Sequence, residues 1–282
     1  MQPRDGDAVG MRYGVLADIH GNLHALETTL RALRRQRVDG YLVAGDLVGY
    51  GPFPNECVAL IRDLGAICVT GNHDLIVLGR LSDRRCIRMA RESLAWTRRV
   101  LGEEARAYLE TLPLQACANG GVVVAHGSLD DPERYITRPE QRAEQVERLK
   151  AEYPEARVLL LGHTHRARAW SERRGTLSRV RSPLSLGSER WLLNPGAVGQ
   201  SRELRVLARF LVLDFERGQA SFHAIPYDHR ACRRALLERG LPPRAYHLRR
   251  APVRALIRRG RRVLRGQSQD RTVPPSRPGI PG

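Results

Sequence analysis

The run RYGVLA at residues 12–17 is apolar and ends on Asp18, and just beyond it Leu23, Leu26, Leu30 and Leu33 recur at helical spacing behind a capping Asn22. A strand followed by a helix is the expected first unit. The pattern returns in YLVAGD with a helix over residues 55–64, and again in AICVTGNHD, so the chain opens as successive βα units that build a sheet flanked by helices. From 75 to 112 the pattern is helical with no strand, Trp96, Val100 and Leu101 supplying apolar faces, and this stretch reads as a helical insertion. Strands resume at GVVVAHG and RVLLLGHTH, separated by a polar helical stretch over 139–152, and continue in WLLNPG, RFLVLDF and ASFHAIP. Asp228 is placed to cap, and Gly240 with Pro242 and Pro243 to stop, a short helix over 229–239. The reading is one α/β domain over residues 11–240, preceded by a disordered stretch at 1–10 and followed by a tail at 241–282. In that tail residues 251–264 form a basic amphipathic pattern broken at Gly260, and the Pro, Gly and Ser beyond it suit a disordered end.

Composition narrows the classes. No apolar run approaches the roughly 20 residues needed to span a bilayer, and the opening MQPRDGDAVG lacks the basic and apolar regions of a secretory signal. Five cysteines, odd in number, widely spaced and without a CxxC pair, argue against a disulfide framework or a structural zinc site. Reduced, mostly buried thiols and a cytoplasmic location are expected. The net charge of +17 suggests a polyanionic partner until its distribution is considered: residues 229–282 hold 15 arginines against Glu238 and Asp270, leaving +4 for the rest. Lys150 is the only lysine, which is more simply a codon-composition effect than a choice of guanidinium.

Chemistry enters at the strand ends. DIHGN (Asp18 to Asn22), GDLVGYG (Gly45 to Gly51), GNHD (Gly71 to Asp74), AHG (Ala125 to Gly127) and GHTH (Gly162 to His165) each follow an expected strand. In an open α/β sheet the loops at the carboxyl ends of strands converge on the ligand site. Each fragment alone is commonly a turn or a satisfied polar group. Five in order bring together aspartates and histidines that need a cation when buried. Asp18, His20, Asp46, Asn72, His126, His163 and His165 form a mixed nitrogen and oxygen set suited to manganese, with iron, zinc or nickel as alternatives. Seven ligands are too many for one ion and suffice for two if a carboxylate bridges, a design that serves phosphoryl chemistry. The x of Asp18-x-His20 and His163-x-His165 puts both side chains on one side of an extended strand end.

With these residues in view the chain resembles the calcineurin-like metallophosphoesterase superfamily, its small bacterial and archaeal phosphodiesterase branch, over residues 12–240. Asn194-Pro-Gly-Ala-Val-Gly-Gln200 is similar to a loop of that branch. The resemblance implies a four-layer αββα sandwich of two mixed β-sheets flanked by helices. It assigns one metal to Asp18, His20, Asp46 and His165, and the other to Asp46, Asn72, His126 and His163. One departure is informative. The family's protein phosphatases carry an Asp-Arg pair three and four positions after the bridging aspartate, where this chain has Gly49 and Tyr50. A phosphoprotein substrate is therefore not expected, and Asp74 becomes a candidate to orient the catalytic histidine.

The expected reaction is in-line attack on a phosphate ester by a hydroxide held between the metals, with His73 protonating the leaving oxygen or holding a phosphoryl oxygen. Asn22 and Tyr50 are weaker candidates for substrate contact, Asn22 being equally placed as a helix cap, and Asn194 and Gly196 are expected to support the floor of the site. Arg80, Arg84, Arg85 and Arg88 of the insertion either receive extra phosphates or form a solvated face. The expected substrates are small phosphate esters such as nucleotides. The alternatives are a nuclease or RNA-associated esterase recruited by the basic tail, and a non-catalytic scaffold of the same fold.

Overall fold

The computed structural model describes residues 11–177 and 183–248. The expectations for residues 1–10 and for the basic segment beyond 248 lie outside the described residues. In chain order the elements are β1 (Arg12–Leu16), α1 (Leu23–Arg35), β2 (Gly40–Val43), α2 (Pro54–Asp63), β3 (Ile67–Cys68), α3 (Asn72–Val77), α4 (Arg88–Val100), α5 (Glu103–Thr111), β4 (Gln115–Ala118), β5 (Val122–Ala125) and α6 (Pro139–Glu152). The second half continues with β6 (Val158–Leu160), β7 (Ala167–Ser171), β8 (Gly175–Thr176), β9 (Leu184–Ser185), β10 (Trp191–Pro195), β11 (Ala208–Asp214), β12 (Gln219–Ile225) and α7 (His229–Glu238).

These strands form two six-stranded sheets, ordered β3-β2-β1-β11-β12-β9 and β4-β5-β6-β10-β7-β8. Both are mixed: β1, β2 and β3 run parallel, as do β5, β6 and β10, while β11 and β7 pair antiparallel. The two-residue alternation of a strand distributes its side chains between layers. Val15, Val122, Val124, Val158 and Leu160 lie in the cluster between the sheets. Their neighbours Leu16 and Val43 face the outer helices of the first sheet, and Val123, Ala125 and Leu159 face α6 on the second. Strands covered on both faces need continuous apolar sequence, hence VVVA and VLL.

Helix α1 shows how the outer layer is held. Asn22 accepts the Ala25 N–H at its start, Arg34 and Arg35 lie in its last turn against the helix dipole, and Leu26, Leu30 and Leu33 bury its inner face. Each such leucine contributes about 1.5–3 kcal/mol by leaving water. The expected helical insertion is α3, α4 and α5, with a single turn at Asp83–Arg85. At the other end the ordered fold runs past residue 240. Leu241 and Ala245 are buried in the helical core, and Leu248 N–H donates to the Ser201 carbonyl at 3.1 Å. Residues 241–248, expected as tail, therefore belong to the domain.

Candidate metal centre

All five fragments meet at one end of the sandwich. Asp18 N–H donates to the Gly45 carbonyl (3.1 Å), Gly162 N–H to the His126 carbonyl (2.9 Å), and His163 N–H crosses between sheets to Asp18 Oδ1 (2.9 Å). The first sheet, with the start of α3, contributes Asp18, His20, Asp46 and Asn72; the second contributes His126, His163 and His165. The loops turn inward at once. Asp18, His20, Asp46, His163 and His165 have φ of +51° to +62°. The extended spacing expected for Asp-x-His and His-x-His is thus replaced by left-handed turns, because β1 already ends at Leu16. A left-handed non-glycine residue costs roughly 1–2 kcal/mol, so five in one place mark a site that the surrounding packing holds under strain. Gly45 shows how tightly the segments converge: a Cβ there would stand 2.8 Å from Gly71 and from His126 Nδ1.

The hydrogen bonds settle which nitrogen each histidine turns inward. His20 Nδ1 lies 3.0 Å from the Val48 carbonyl, His126 Nδ1 2.7 Å from that of Ala44, and His165 Nδ1 2.7 Å from that of Gln200. A carbonyl only accepts, so these three carry their proton on Nδ1 and present Nε2 as a lone pair. His163 is the reverse: its Nε2 donates to the Glu133 carbonyl at 3.0 Å, which frees Nδ1.

The inward atoms therefore face one another as acceptors. His20 Nε2 stands 3.2 Å from His165 Nε2, and His126 Nε2 3.1 Å from Asn72 Oδ1. Both His20 Nε2 (3.4 Å) and His126 Nε2 (3.3 Å) approach Asp46 Oδ2, which together with Asp18 Oδ2 has no hydrogen-bond partner. Ligand atoms of Asp18, His20, Asp46 and His165 lie within 4.8 Å of one another, as do those of Asp46, His126 and His163. Lone pairs directed at lone pairs in a buried space fit two cations sharing Asp46.

Protons are the only substitute the chain has for such cations. Burial, opposed by His126 and reinforced by Asp46, pushes Asp18 up to about 7. His126 is lowered by burial, but Asp46 outweighs this and lifts it to about 9, so without a cation a proton occupies its Nε2 toward Asp46. Burial drives His20 down to about 3 and His73 to about 4, and holds His163 and His165 well below the ordinary imidazole value. Four neutral imidazoles suit metal coordination or proton transfer.

Around the ligands the structure redistributes the expected supporting roles. Asp74 does not hydrogen-bond the His73 ring. Its carboxylate accepts from the backbone N–H of Asp46 (2.9 Å), Val48 (3.1 Å) and Gly71 (2.9 Å), fixing the loop that carries Asp46. His73 Nδ1 is buried without a partner, and Gly49 explains why: a Cβ at residue 49 would stand 2.6 Å from that nitrogen, so no orienting carboxylate fits there. The ring is held instead edge-on against His20 (4.7 Å) and tilted against Tyr50 (4.8 Å). Tyr50 is itself buried, edge-on to His20 at 4.8 Å, and burial pushes its phenol up to about 12. Asn22 is committed to the scaffold, capping α1 and donating to the Gly199 carbonyl (2.8 Å) and the Tyr227 hydroxyl (3.1 Å). Asn194 donates to the Gly162 carbonyl (2.6 Å) and Thr164 Oγ1 (3.2 Å) while its oxygen accepts from Gly196 N–H (2.9 Å). It braces the loop between His163 and His165.

The insertion backs the His73 side, Ser93 of α4 accepting the Tyr50 N–H at 3.2 Å. Its arginines turn outward: Arg80, Arg84, Arg85 and Arg88 are exposed, Arg85 pairing with Glu133 and Arg88 with Glu92. Two residues absent from the sequence reading stand at the opening. Tyr135 stacks on His163 with ring centroids 3.9 Å apart, and Arg202 Nη1 donates to its hydroxyl at 3.0 Å. Arg202 lies just past the Asn194–Gln200 loop, which was a signal; Tyr135 sits in an ordinary polar loop that offered none.

The sequence profile of the calcineurin-like phosphoesterase family matches residues 11–167. An uncharacterized protein of Methanocaldococcus jannaschii is 30% identical over 232 residues, covering 81% of this chain and 93% of that one. A metallophosphoesterase from Sphaerobacter thermophilus superposes with a TM-score of 0.73 at 33% identity, over 84% of this chain and 97% of that one. A hypothetical protein from Pyrococcus horikoshii shares the fold with a TM-score of 0.67 at 20% identity, over 84% and 96% of the two chains. With the profile spanning more than half the chain, and buried acceptor groups able to hold metal ions, the chain belongs to the calcineurin-like phosphoesterase family and is a metal-dependent phosphoester hydrolase.

Proposed function

We propose that this protein hydrolyses small phosphate esters, nucleotides among them, at a two-metal centre for which manganese is the best-suited ion. The observation that carries the reading is the pair of buried acceptor clusters sharing Asp46. Asp18, His20, Asp46 and His165 would hold one cation and Asp46, Asn72, His126 and His163 the other. Carboxylate and amide oxygens beside imidazoles favour manganese over the softer zinc sites built on thiolate. Two divalent cations there lower the pKa of water and screen the charge of phosphoryl oxygens.

The chain's own residues supply the rest. His73 lies against His20 and carries no hydrogen bond on Nδ1, so its ring is not committed to the scaffold and would hold a phosphoryl oxygen or, once protonated beside the substrate, give that proton to the leaving oxygen. Its backbone N–H donates to Asp46 Oδ1 at 2.8 Å and ties the acid to the shared carboxylate. Ring contacts in place of a carboxylate partner set this histidine apart from the Asp-Arg arrangement of protein phosphatases, which supports small esters over phosphoproteins.

The test compares turnover of bis-p-nitrophenyl phosphate and p-nitrophenyl phosphate across manganese, nickel, zinc and magnesium. Asp46→Asn, which leaves neither cation its shared anionic ligand, should lose at least about 1,000-fold in kcat/KM together with bound metal by elemental analysis. Full activity in that variant would sink the two-metal reading. Equal rates in all four metals would sink the choice of manganese.

A further inference from the structure

We propose that Arg202 is the phosphoryl-oxygen site of this centre, its guanidinium binding a non-bridging oxygen of the substrate and of product phosphate, with Tyr135 and Gln200 holding it in position. The inference rests on the hydrolase reading above.

Arg202 is carried on a fixed loop. Val198 N–H donates to the Ala17 carbonyl and Gly199 N–H to that of Asp18, each at 3.0 Å, so the segment is pinned beside the first metal ligand. From there the side chain reaches across the site. Nε donates to Gln200 Oε1 at 3.2 Å and Nη1 to the Tyr135 hydroxyl at 3.0 Å. Gln200 accepts His165 Nδ1 through its backbone carbonyl, and the Tyr135 ring lies on His163. The guanidinium is thus tied to both histidines of the His-x-His pair.

Its charge has no direct ion-pair partner. No carboxylate of the described residues pairs with Arg202, whereas the arginines around it are matched: Arg134 with Glu144 and Asp130, Arg85 with Glu133, Arg209 with Glu203. A guanidinium has five N–H donors and two are used here on neutral acceptors, leaving three in a planar fork that matches a phosphate edge. Its field is felt on both halves of the centre, at Asp18, His20, His73, His163 and His165, lowering each. A half-buried cation with no ion pair of its own, held by the Tyr135 hydroxyl and helped by the charge of Asp18, gains a direct partner when an anion arrives. This arginine comes from the far end of the chain, replacing the one missing at Tyr50 and doing what the exposed arginines of the insertion cannot.

The experiment uses manganese-loaded full-length protein, comparing the unaltered chain with Arg202→Gln, Arg202→Lys and Tyr135→Phe. Three quantities are read: kcat/KM on bis-p-nitrophenyl phosphate, the affinity for inorganic phosphate by calorimetry, and metal content. Arg202→Gln should lower kcat/KM about 100-fold and weaken phosphate about 10- to 100-fold, with metal content unchanged. Arg202→Lys should recover only part, because a point charge does not reproduce the fork. Tyr135→Phe keeps the ring on His163, so it should raise KM and weaken phosphate by up to about 10-fold with kcat nearly unchanged. Unchanged phosphate affinity and kcat/KM in Arg202→Gln would overturn the assignment, and so would a parallel loss of metal, which would make Arg202 a support for His165. Unaltered protein that binds phosphate through Arg202 yet cleaves no ester would overturn the hydrolase reading and leave this site standing.

Discussion

The two sheets contribute unequal halves to the centre. The half from the first sheet holds all the negative charge, Asp18 and Asp46, and is sealed by the insertion through Tyr50 and Ser93. The half from the second sheet is three imidazoles braced by the neutral Asn194, and Tyr135, a residue 44% exposed, lays its ring against it. Neither half is sufficient: one would be an uncompensated pair of buried carboxylates, the other a ring of neutral donors with weak attraction for a cation. The carboxylates sit on one side and the exposed Tyr135 on the other.

Mutations can break this division or sharpen it. The largest effect is expected on the sealed side, where His73→Ala should lower kcat about 1,000-fold while elemental analysis finds the metal content of the unaltered protein. Loss of metal along with activity would place His73 among the ligands and erase the distinction. On the open side Asn194→Ala releases the Gly162–Thr164 loop, so metal affinity should fall about 10- to 100-fold, measured by titration against a chelating indicator. If affinity holds, the backbone turn and not Asn194 positions His163 and His165.

Gly49→Ala tests the close packing of the sealed half. The added methyl meets His73 at a residue with φ of +84°, which should cost about 1–3 kcal/mol in denaturant unfolding and lower kcat more than it lowers metal content. A variant as stable as the parent would show that the His73 ring can move aside. The smallest effect belongs to Asn22, which serves the scaffold: Asn22→Ala should cost about 1 kcal/mol with kcat/KM within a few-fold. A large loss of activity at full stability would return Asn22 to the substrate-binding residues.

Much of this was legible in the chain. Residues 12–35 read as strand, turn, cap and helix because period and capping chemistry act within a few residues, and β1, Asn22 and α1 follow that reading. The seven donors were recognisable because each follows an apolar run and because carboxylates and imidazoles serve few other ends in a buried loop. β4, β7 and β8 were not foreseen. QACA and ARAWS contain no β-branched residue to signal a strand, and they pair because β5 and β10 present edges to them. The boundary at 240 failed for a similar reason, since Leu241 and Ala245 find a hydrophobic surface made by helices distant in sequence.

By itself the sequence determined the order of the strongly apolar strands and the main helices, the donor set and the absence of a phosphatase-type Asp-Arg pair, all of which depend on residue type and local spacing. Only the tertiary structure decided how those residues are used. It gave Asp74 to three backbone N–H groups and left His73 to edge-on and tilted ring contacts, its Nδ1 close against Gly49 where a side chain would collide with it. It chose which nitrogen each histidine turns inward through carbonyls of distant segments, and it brought Tyr135 and Arg202 to the opening. Such contacts join residues far apart along the chain, and their distances exist only once both sheets have packed.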